Sequence, residues 1–145
     1  MIQKAYKFRI YPNKAQKVLL GKTFGCVRFA WNRWVENFNK KEDKVFKTPT
    51  ELRQEFEWMK EVSHNAVQQK ERDFKEFKSQ FFNRSRKKKL GKPSFKSKRN
   101  KQSYRLPNTK FYIKDDKIRL EKIGFVKTVR STSTLNYQYT ALHNY

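Results

Sequence analysis

The chain has 145 residues, enough for one ordinary domain or for two small modules that share a core. It carries 36 lysine and arginine residues against 13 acidic ones, which gives a formal net charge of +23 at pH 7. Such an excess indicates a polyanionic partner, most commonly nucleic acid, although an acidic membrane surface is the competing interpretation. No run approaches the ~18 apolar residues that a membrane span requires. The single cysteine, Cys26, excludes an internal disulfide and favours a reducing cytoplasm.

The first stretch changes its hydrophobic period once. Tyr6, Phe8 and Ile10 alternate with more polar residues, which predicts a half-buried strand. Asn13 and Gln16 then have the spacing of a capping box at the start of a helix. Apolar residues recur along that helix at steps of three and four, in the order Leu20, Phe24, Val27, Trp31, Trp34 and Phe38.

Two further helices are predicted from their caps. Thr48 and Pro49 have the residue types of an N-cap and a first helical position, and Ser63 can cap a third helix. The second helix has a short apolar stripe of Leu52, Phe56 and Met59. The third has Val67, Phe74, Phe77 and Phe81 on its inner face. Three helices with matched aromatic stripes predict a small bundle.

A basic run follows the third helix. Residues 84–101 include ten lysines or arginines and no acidic residue. Such a run is commonly a solvated, mobile face. The presence of Phe95 between Ser94 and Ser97 favours the alternative, an ordered segment that binds phosphates through cations and hydroxyls.

The two-residue period returns after residue 102. Three stretches predict strands, and Asp115 with Asp116 has the composition of a tight hairpin turn. Because one strand lies at the start of the chain and the others lie near its end, the sequence predicts an α+β fold. In this fold a small β-barrel or sheet is interrupted by a three-helix module. Residues 130–145 show no clear period and are predicted to be a poorly ordered tail.

Catalytic chemistry is poorly represented. Most carboxylates have positions typical of helix caps or helix-surface partners of lysine, and His64 and His143 lack metal-ligand spacing. There is no glycine-rich phosphate loop, and Cys26 has no evident base partner. We therefore expect no catalytic residue, no cofactor, no metal site, and no enzyme complete in itself.

Binding chemistry is better represented on the third helix. His64 and Gln68 are four residues apart and share one helix face, with Asn65 and Gln69 beside them. Amide side chains can pair with adenine in a groove. The alternative is that these are ordinary exposed polar residues near a helix N-terminus.

Several strings resemble one known family, TnpB, the OrfB-type protein of bacterial insertion sequences and a transposon-encoded relative of type V CRISPR nucleases. The resemblance covers about residues 1–129. It is carried by KAYKFRIYPNKAQ (4–16), KTFGCVRFAWN (22–32), WMKEVSHNAVQQ (58–69), GKPSFKSKR (91–99), QSYRLPN (102–108) and KIGFVK (122–127).

The resemblance implies a fold and a division into domains. Residues 1–12 and 92–129 would form an oligonucleotide-binding-like barrel, the wedge domain. Residues 13–91 would form the recognition, or helix-turn-helix, domain, and residues 130–145 would be a divergent tail. The family is an RNA-guided DNA endonuclease associated with transposition, so guide RNA and duplex DNA are the implied partners in the bacterial cytoplasm and nucleoid.

The resemblance also implies the contacting residues. His64, Gln68 and Asn108, with Phe46 and Thr48, would contact the duplex motif beside the target. The remaining implied residues would lie along nucleic-acid backbone: Tyr104, Arg105, Arg84, Arg86, Lys87, Lys88, Lys92, Lys96, Lys98 and Arg99.

The sequence departs from the family after about Arg130, and no position corresponds to the nuclease acids or the zinc ribbon. We therefore expect a truncated, nucleic-acid-binding fragment without a nuclease centre. Two alternatives stay open. One is a nuclease subunit completed by a nuclease-bearing partner chain, and the other is a decayed remnant with no selected role.

Overall fold

A helical block lies between two groups of strands in the computed structural model, which describes residues 7, 9–42, 46–128 and 139–144, the last six by backbone alone. The helices are α1 (Lys14–Asn39), α2 (Pro49–Glu55) and α3 (His64–Phe81). The strands are β1 (Ile10–Tyr11), β2 (Gln102–Pro107), β3 (Phe111–Lys114), β4 (Lys117–Leu120), β5 (Gly124–Thr128) and β6 (Tyr139–Asn144). Tyr6 and Phe8, which the sequence assigns to the first strand, lie outside the described residues.

The predicted helix starts are confirmed by their hydrogen bonds. Asn13 Oδ1 accepts from the Gln16 backbone N–H at 2.8 Å, and Gln16 Oε1 accepts from the Asn13 N–H at 2.9 Å. Thr48 and Glu51 form the same reciprocal pair at the start of α2. Ser63 Oγ accepts from the backbone of Ala66. Each cap satisfies backbone donors that a helix start leaves unpaired.

The second apolar stripe is divided between two short helices. Phe56 takes an extended backbone conformation after α2, and a 3-10 helix follows over Glu57–Glu61. Leu52 and Met59 are both buried in spite of this break. The stripe therefore still contributes to the core, although one helix does not carry all of it.

Aromatic side chains join α1 to α3. Phe74 of α3 is completely buried and lies against Trp31, Trp34, Phe38 and Phe46, with ring centroids 5.2–6.3 Å apart. Burial of a large side chain typically contributes about 1.5–3 kcal/mol, and aromatic pairing adds to it. The predicted aromatic stripes therefore form the centre of the helical block.

Four strands form an antiparallel sheet in the order β1-β5-β4-β3. Ile118, Leu120 and Val126 face the core, while the residues between them are exposed. The predicted turn at Asp115 and Asp116 joins β3 to β4, and Asp115 has a positive φ of 55° that aspartate tolerates. The register places alternate residues of all four strands on one outward face.

Residues 139–144 belong to the tail that the sequence predicts to be poorly ordered, and the order of that tail stays a prediction. They form β6, which pairs antiparallel with β2 from Gln102↔Asn144 to Pro107↔Tyr139. The alternation in this six-residue stretch is weak. Its strand conformation depends on pairing with β2, a long-range contact that local pattern does not reveal.

The α+β class is confirmed, and β2 packs on α1 and α3 through Tyr104 and Leu106. The described strands form two sheets, so closure into a barrel stays a prediction. One continuous cluster of buried side chains includes residues from the helices and from strands of both sheets. The boundaries 1–12, 13–91 and 92–129 likewise stay predictions.

Candidate nucleic-acid interface

The first turns of α3 present two of the predicted base-reading residues. Gln68 is exposed and His64 is half-buried, with its Nε2 3.5 Å from Thr50 Oγ. Burial and the nearby positive charge of Arg53 lower the pKa of His64 below its usual value of 6.5. A neutral imidazole offers one donor and one acceptor, which suits recognition of a base edge.

The amides beside this face have structural roles instead. Asn65 Nδ2 donates to Glu121 Oε2 at 2.9 Å, and Ser63 Oγ donates to the same oxygen at 3.0 Å. Gln69 is buried. The interpretation of Asn65 and Gln69 as base readers is therefore wrong, because one is engaged by a carboxylate and the other has little access to solvent. Glu121 instead fixes the start of α3 to the loop between β4 and β5.

Phe46 and Thr48 both make contacts within the protein that account for their positions. The Phe46 ring stacks on Trp34 at a centroid distance of 5.6 Å and on Phe74 at 6.0 Å. Thr48 Oγ is engaged as the N-cap of α2, although the residue is exposed. Contact of either residue with nucleic acid stays a prediction.

The prediction for Tyr104 is wrong. Its side chain is 2% exposed and packs edge-on against Phe24 at 5.3 Å, so it cannot reach a phosphate backbone. Burial raises the pKa of Tyr104, and its hydroxyl has no hydrogen-bond partner among the described residues. Arg105, on the opposite face of β2, forms an ion pair with Asp73 and keeps about a third of its side chain exposed.

Asn108 begins the short 3-10 helix Asn108–Lys110 that links β2 to β3, and it is exposed. Its position leaves the side chain accessible. The structure thus separates the predicted base readers into an α3 pair and one residue at the sheet connection.

Three hydrogen bonds attach the basic run to α1, at Ser94 and at Lys96. Trp31 Nε1 donates to the Ser94 carbonyl at 3.0 Å. Asn32 Nδ2 donates to the Lys96 carbonyl at 2.9 Å, and Asn32 Oδ1 accepts from the Lys96 N–H at 2.7 Å. Pro93 is buried beside these contacts. These hydrogen bonds favour the ordered interpretation of the run over the mobile one.

The cations predicted within this run are exposed to solvent: Arg84, Arg86, Lys87, Lys88, Lys92, Lys96, Lys98 and Arg99. Arg86 also has an internal role, since it donates to the Lys88 carbonyl and to Gln80 Oε1, both at 2.8 Å. The attachment to α1 therefore holds a row of positive charges at the surface without neutralising most of it.

A cavity of about 70 Å³, which sequence reasoning missed, lies between α1, α3 and this segment. Its described lining contains no acidic residue and consists of Phe24, Val27, Arg28, Trp31, Lys70, Lys96, Ser97, Lys101, Gln102 and Ser103. The ammonium nitrogens of Lys96 and Lys70 lie 5.3 and 5.9 Å from the centroid of the Trp31 ring. Cations and hydroxyls around a small cavity are suited to a phosphate group.

Lys70 is largely buried at this cavity, and burial lowers its pKa although Asp73 lies 3.6 Å away. The sequence contains a signal that could have identified Lys70 as part of this site. Lys70 falls between Val67 and Phe74 on the inner face of α3, where a lysine is unusual. Arg28 was harder to identify, because its position next to the cavity depends on the fold of residues 96–103.

The described residues offer neither a metal-binding cluster nor a membrane-spanning helix. They contain no cluster of three or more histidine, cysteine or acidic side chains able to hold a metal ion. Among the same residues, no helix combines the length and the apolarity needed to cross a bilayer.

Comparison with known proteins adds an independent finding about the N-terminal part. Residues 1–40 match the family model of the OrfB_IS605 helix-turn-helix domain, a stretch that includes β1 and all of α1. No curated protein matches the chain. The matched stretch contains Trp31 and Asn32, the residues that hold the basic run. The N-terminal region of this chain is therefore similar to the helix-turn-helix domain of the OrfB_IS605 family, and this similarity indicates nucleic-acid binding.

Proposed function

We propose that the chain binds the guide-RNA scaffold and the duplex motif flanking the target of a TnpB-like system, without a nuclease centre of its own. The observation that carries this proposal is the basic run held on α1 by Trp31 and Asn32. An ordered row of cations can follow a phosphate backbone in a way that a mobile run cannot, because less conformational entropy is lost on binding.

Sequence discrimination is assigned to three polar side chains, of which Gln68 and Asn108 are exposed and His64 is half-buried. Gln68 and Asn108 carry amides able to form paired hydrogen bonds with adenine, and His64 adds a neutral donor and acceptor. Phosphate contacts fix the position of the protein, and these few base contacts would select the motif. The absence of a nuclease centre is proposed from the sequence, in which no acids correspond to those of the family.

The proposal is tested by the salt dependence of binding to a fluorescently labelled duplex and to a structured RNA. If about 6–10 phosphates are neutralised, affinity falls by roughly three to five orders of magnitude between about 50 and 200 mM salt. The double variant Lys98→Ala/Arg99→Ala is expected to weaken binding to all sequences and to reduce the salt slope by about one per lost contact.

Lys60→Ala is the matched control, because Lys60 is also exposed but lies outside the run and pairs with Glu57 at 2.8 Å. Binding that does not change with salt would contradict the proposal. Magnesium-dependent cleavage of target DNA by the purified chain with guide RNA would contradict the proposal that the chain has no nuclease centre of its own.

A further inference from the structure

The outward face of the four-stranded sheet consists only of aromatic and cationic side chains. All seven are exposed, and in strand order they are Tyr11, Lys127, Phe125, Lys117, Arg119, Tyr112 and Lys114. The opposite face of the same strands carries Ile118, Leu120 and Val126 into the core. Strand alternation therefore separates an apolar inner face from a positively charged aromatic outer face.

One row of this face is built around Arg119. The register pairs Arg119 with Tyr112 on one side and with Phe125 on the other. The two rings nevertheless contact each other edge to face, with centroids 5.7 Å apart and planes at 81°. The Arg119 guanidinium carbon lies 5.6 Å from the centroid of the Tyr112 ring. Both rings thus lean over the central strand while they stay 47% and 44% exposed.

The neighbouring row supplies charge and a third ring. Lys114, Lys117 and Lys127 lie side by side on three adjacent strands, and Tyr11 completes the row on β1. Tyr11 is 50% exposed, and the guanidinium carbon of Arg9 lies 5.8 Å from its ring centroid. Like charges directly opposite one another on a sheet are unfavourable for the free protein. A bound anion would relieve that repulsion.

We infer that this sheet face binds unpaired nucleotides of single-stranded nucleic acid. Bases would stack on Tyr112, Phe125 and Tyr11, while Lys117 and Lys127 neutralise the phosphates between them. Aromatic platforms with interspersed cations are the groups that hold single strands, because every base offers a π face. A duplex cannot use the rings in this way, since its bases are already stacked. The inference rests on the proposed function only in taking nucleic acid as the partner.

The test uses the full chain and labelled oligonucleotides of about ten nucleotides, as single-stranded RNA, single-stranded DNA and DNA duplex. The variant Tyr112→Ala/Phe125→Ala is expected to lose about 5- to 150-fold in affinity for single strands per stacked base. The variant Tyr112→Phe/Phe125→Tyr keeps the rings and is expected to bind as the parent does. Comparison of the RNA and DNA arms shows which strand the face prefers.

Phe82→Ala is the matched control, because Phe82 is a 63% exposed aromatic residue beyond the end of α3. Thermal unfolding shows whether the double alanine variant folds. If it does not, Lys117→Gln/Lys127→Gln provides the test, with an expected smaller salt slope for single strands.

Unchanged single-strand affinity in folded sheet variants would overturn the inference. So would an equal loss of duplex affinity in the same variants, because the face would then not select unpaired bases. Failure of the proposed function has a different signature: duplex and structured-RNA binding would not respond to Lys98→Ala/Arg99→Ala or to salt.

Discussion

His64 is held in the first turn of α3 with a pKa lowered by burial and by the positive charge of Arg53, against opposing effects of Glu121 and Glu71. Its folded-state pKa lies below the unfolded value of about 6.5, so the unfolded chain takes up the proton first. The free energy of unfolding is therefore expected to decrease as pH falls from about 7 through 6.5, and to level off below the folded-state pKa.

Urea denaturation at a series of pH values measures this effect, and His64→Gln is expected to make the decrease smaller. The imidazole resonances of His64 in an NMR titration give the pKa directly. A midpoint above 6.5 would show that burial and Arg53 do not dominate at this site.

Cys26 is the only thiol in the chain, and it is buried. Burial, helped by Glu61 and opposed by Lys22, raises the pKa of Cys26 to about 11. Because the thiolate is the reactive form, alkylation at about pH 8 is expected to be slow in the folded protein and fast in guanidinium. Mass spectrometry of iodoacetamide-treated protein measures the rate of this alkylation. Rapid labelling of the folded chain would contradict the position of Cys26.

Residue-level prediction failed where it treated neighbours on a strand alike. Tyr104 and Arg105 were both expected on nucleic acid, but consecutive residues of β2 point to opposite faces. The resemblance did not say which face is buried. The structure shows Tyr104 inside and Arg105 paired with Asp73 at the surface.

At the scale of elements, Asn32 forms two hydrogen bonds that help to hold the basic run on α1. Asn32→Ala is expected to loosen residues 93–101 and to cost about 1–3 kcal/mol if both bonds are lost. Limited trypsin digestion followed by mass spectrometry should show faster cleavage within the run. Asn108→Ala, a change at an exposed asparagine outside the run, serves as the control. Equal cleavage rates in the two variants would count against this attachment.

Glu121 connects the start of α3 to the β4–β5 loop through Ser63 and Asn65. Glu121→Ala leaves two partly buried donors without their acceptor, and we expect it to lower the free energy of unfolding by about 1–3 kcal/mol. Glu57→Ala removes an exposed carboxylate paired only at the surface, and it is expected to change stability by less than about 1 kcal/mol. Chemical denaturation measures the loss of stability in both variants. Equal losses would contradict the proposed role of Glu121 in connecting α3 to the β4–β5 loop.

Element starts were predictable because their signals are local. The Asn13–Gln16 box, the Ser63 cap and the Asp115 turn each depend on residues within a few positions. β6 was missed because its strand conformation depends on pairing with β2, more than thirty residues earlier in the chain. The cationic cavity was missed for the same reason: Arg28, Lys70 and Lys101 meet only after folding.

At the scale of the whole molecule, the charge of +23 opposes its own folding. Raising the ionic strength from about 0.01 M to about 0.15 M shortens the Debye length from about 30 Å to about 8 Å. We therefore expect the Tm of the free protein to rise over this range, while its affinity for nucleic acid falls. Calorimetry measures the first change and fluorescence anisotropy the second. A Tm that falls with salt would show that attractive ion pairs outweigh the excess positive charge.

The pairing of β1 with β5 also has a consequence for the order of folding. Ile10 lies opposite Thr128, so the loop that this pair closes contains all three helices. Long loops are entropically unfavourable to close, and contacts of high sequence separation form slowly. We expect the neighbouring helices to associate early and the two-residue strand β1 to join the sheet late. Tyr11 would then reach its place beside Lys127 only in the last steps of folding.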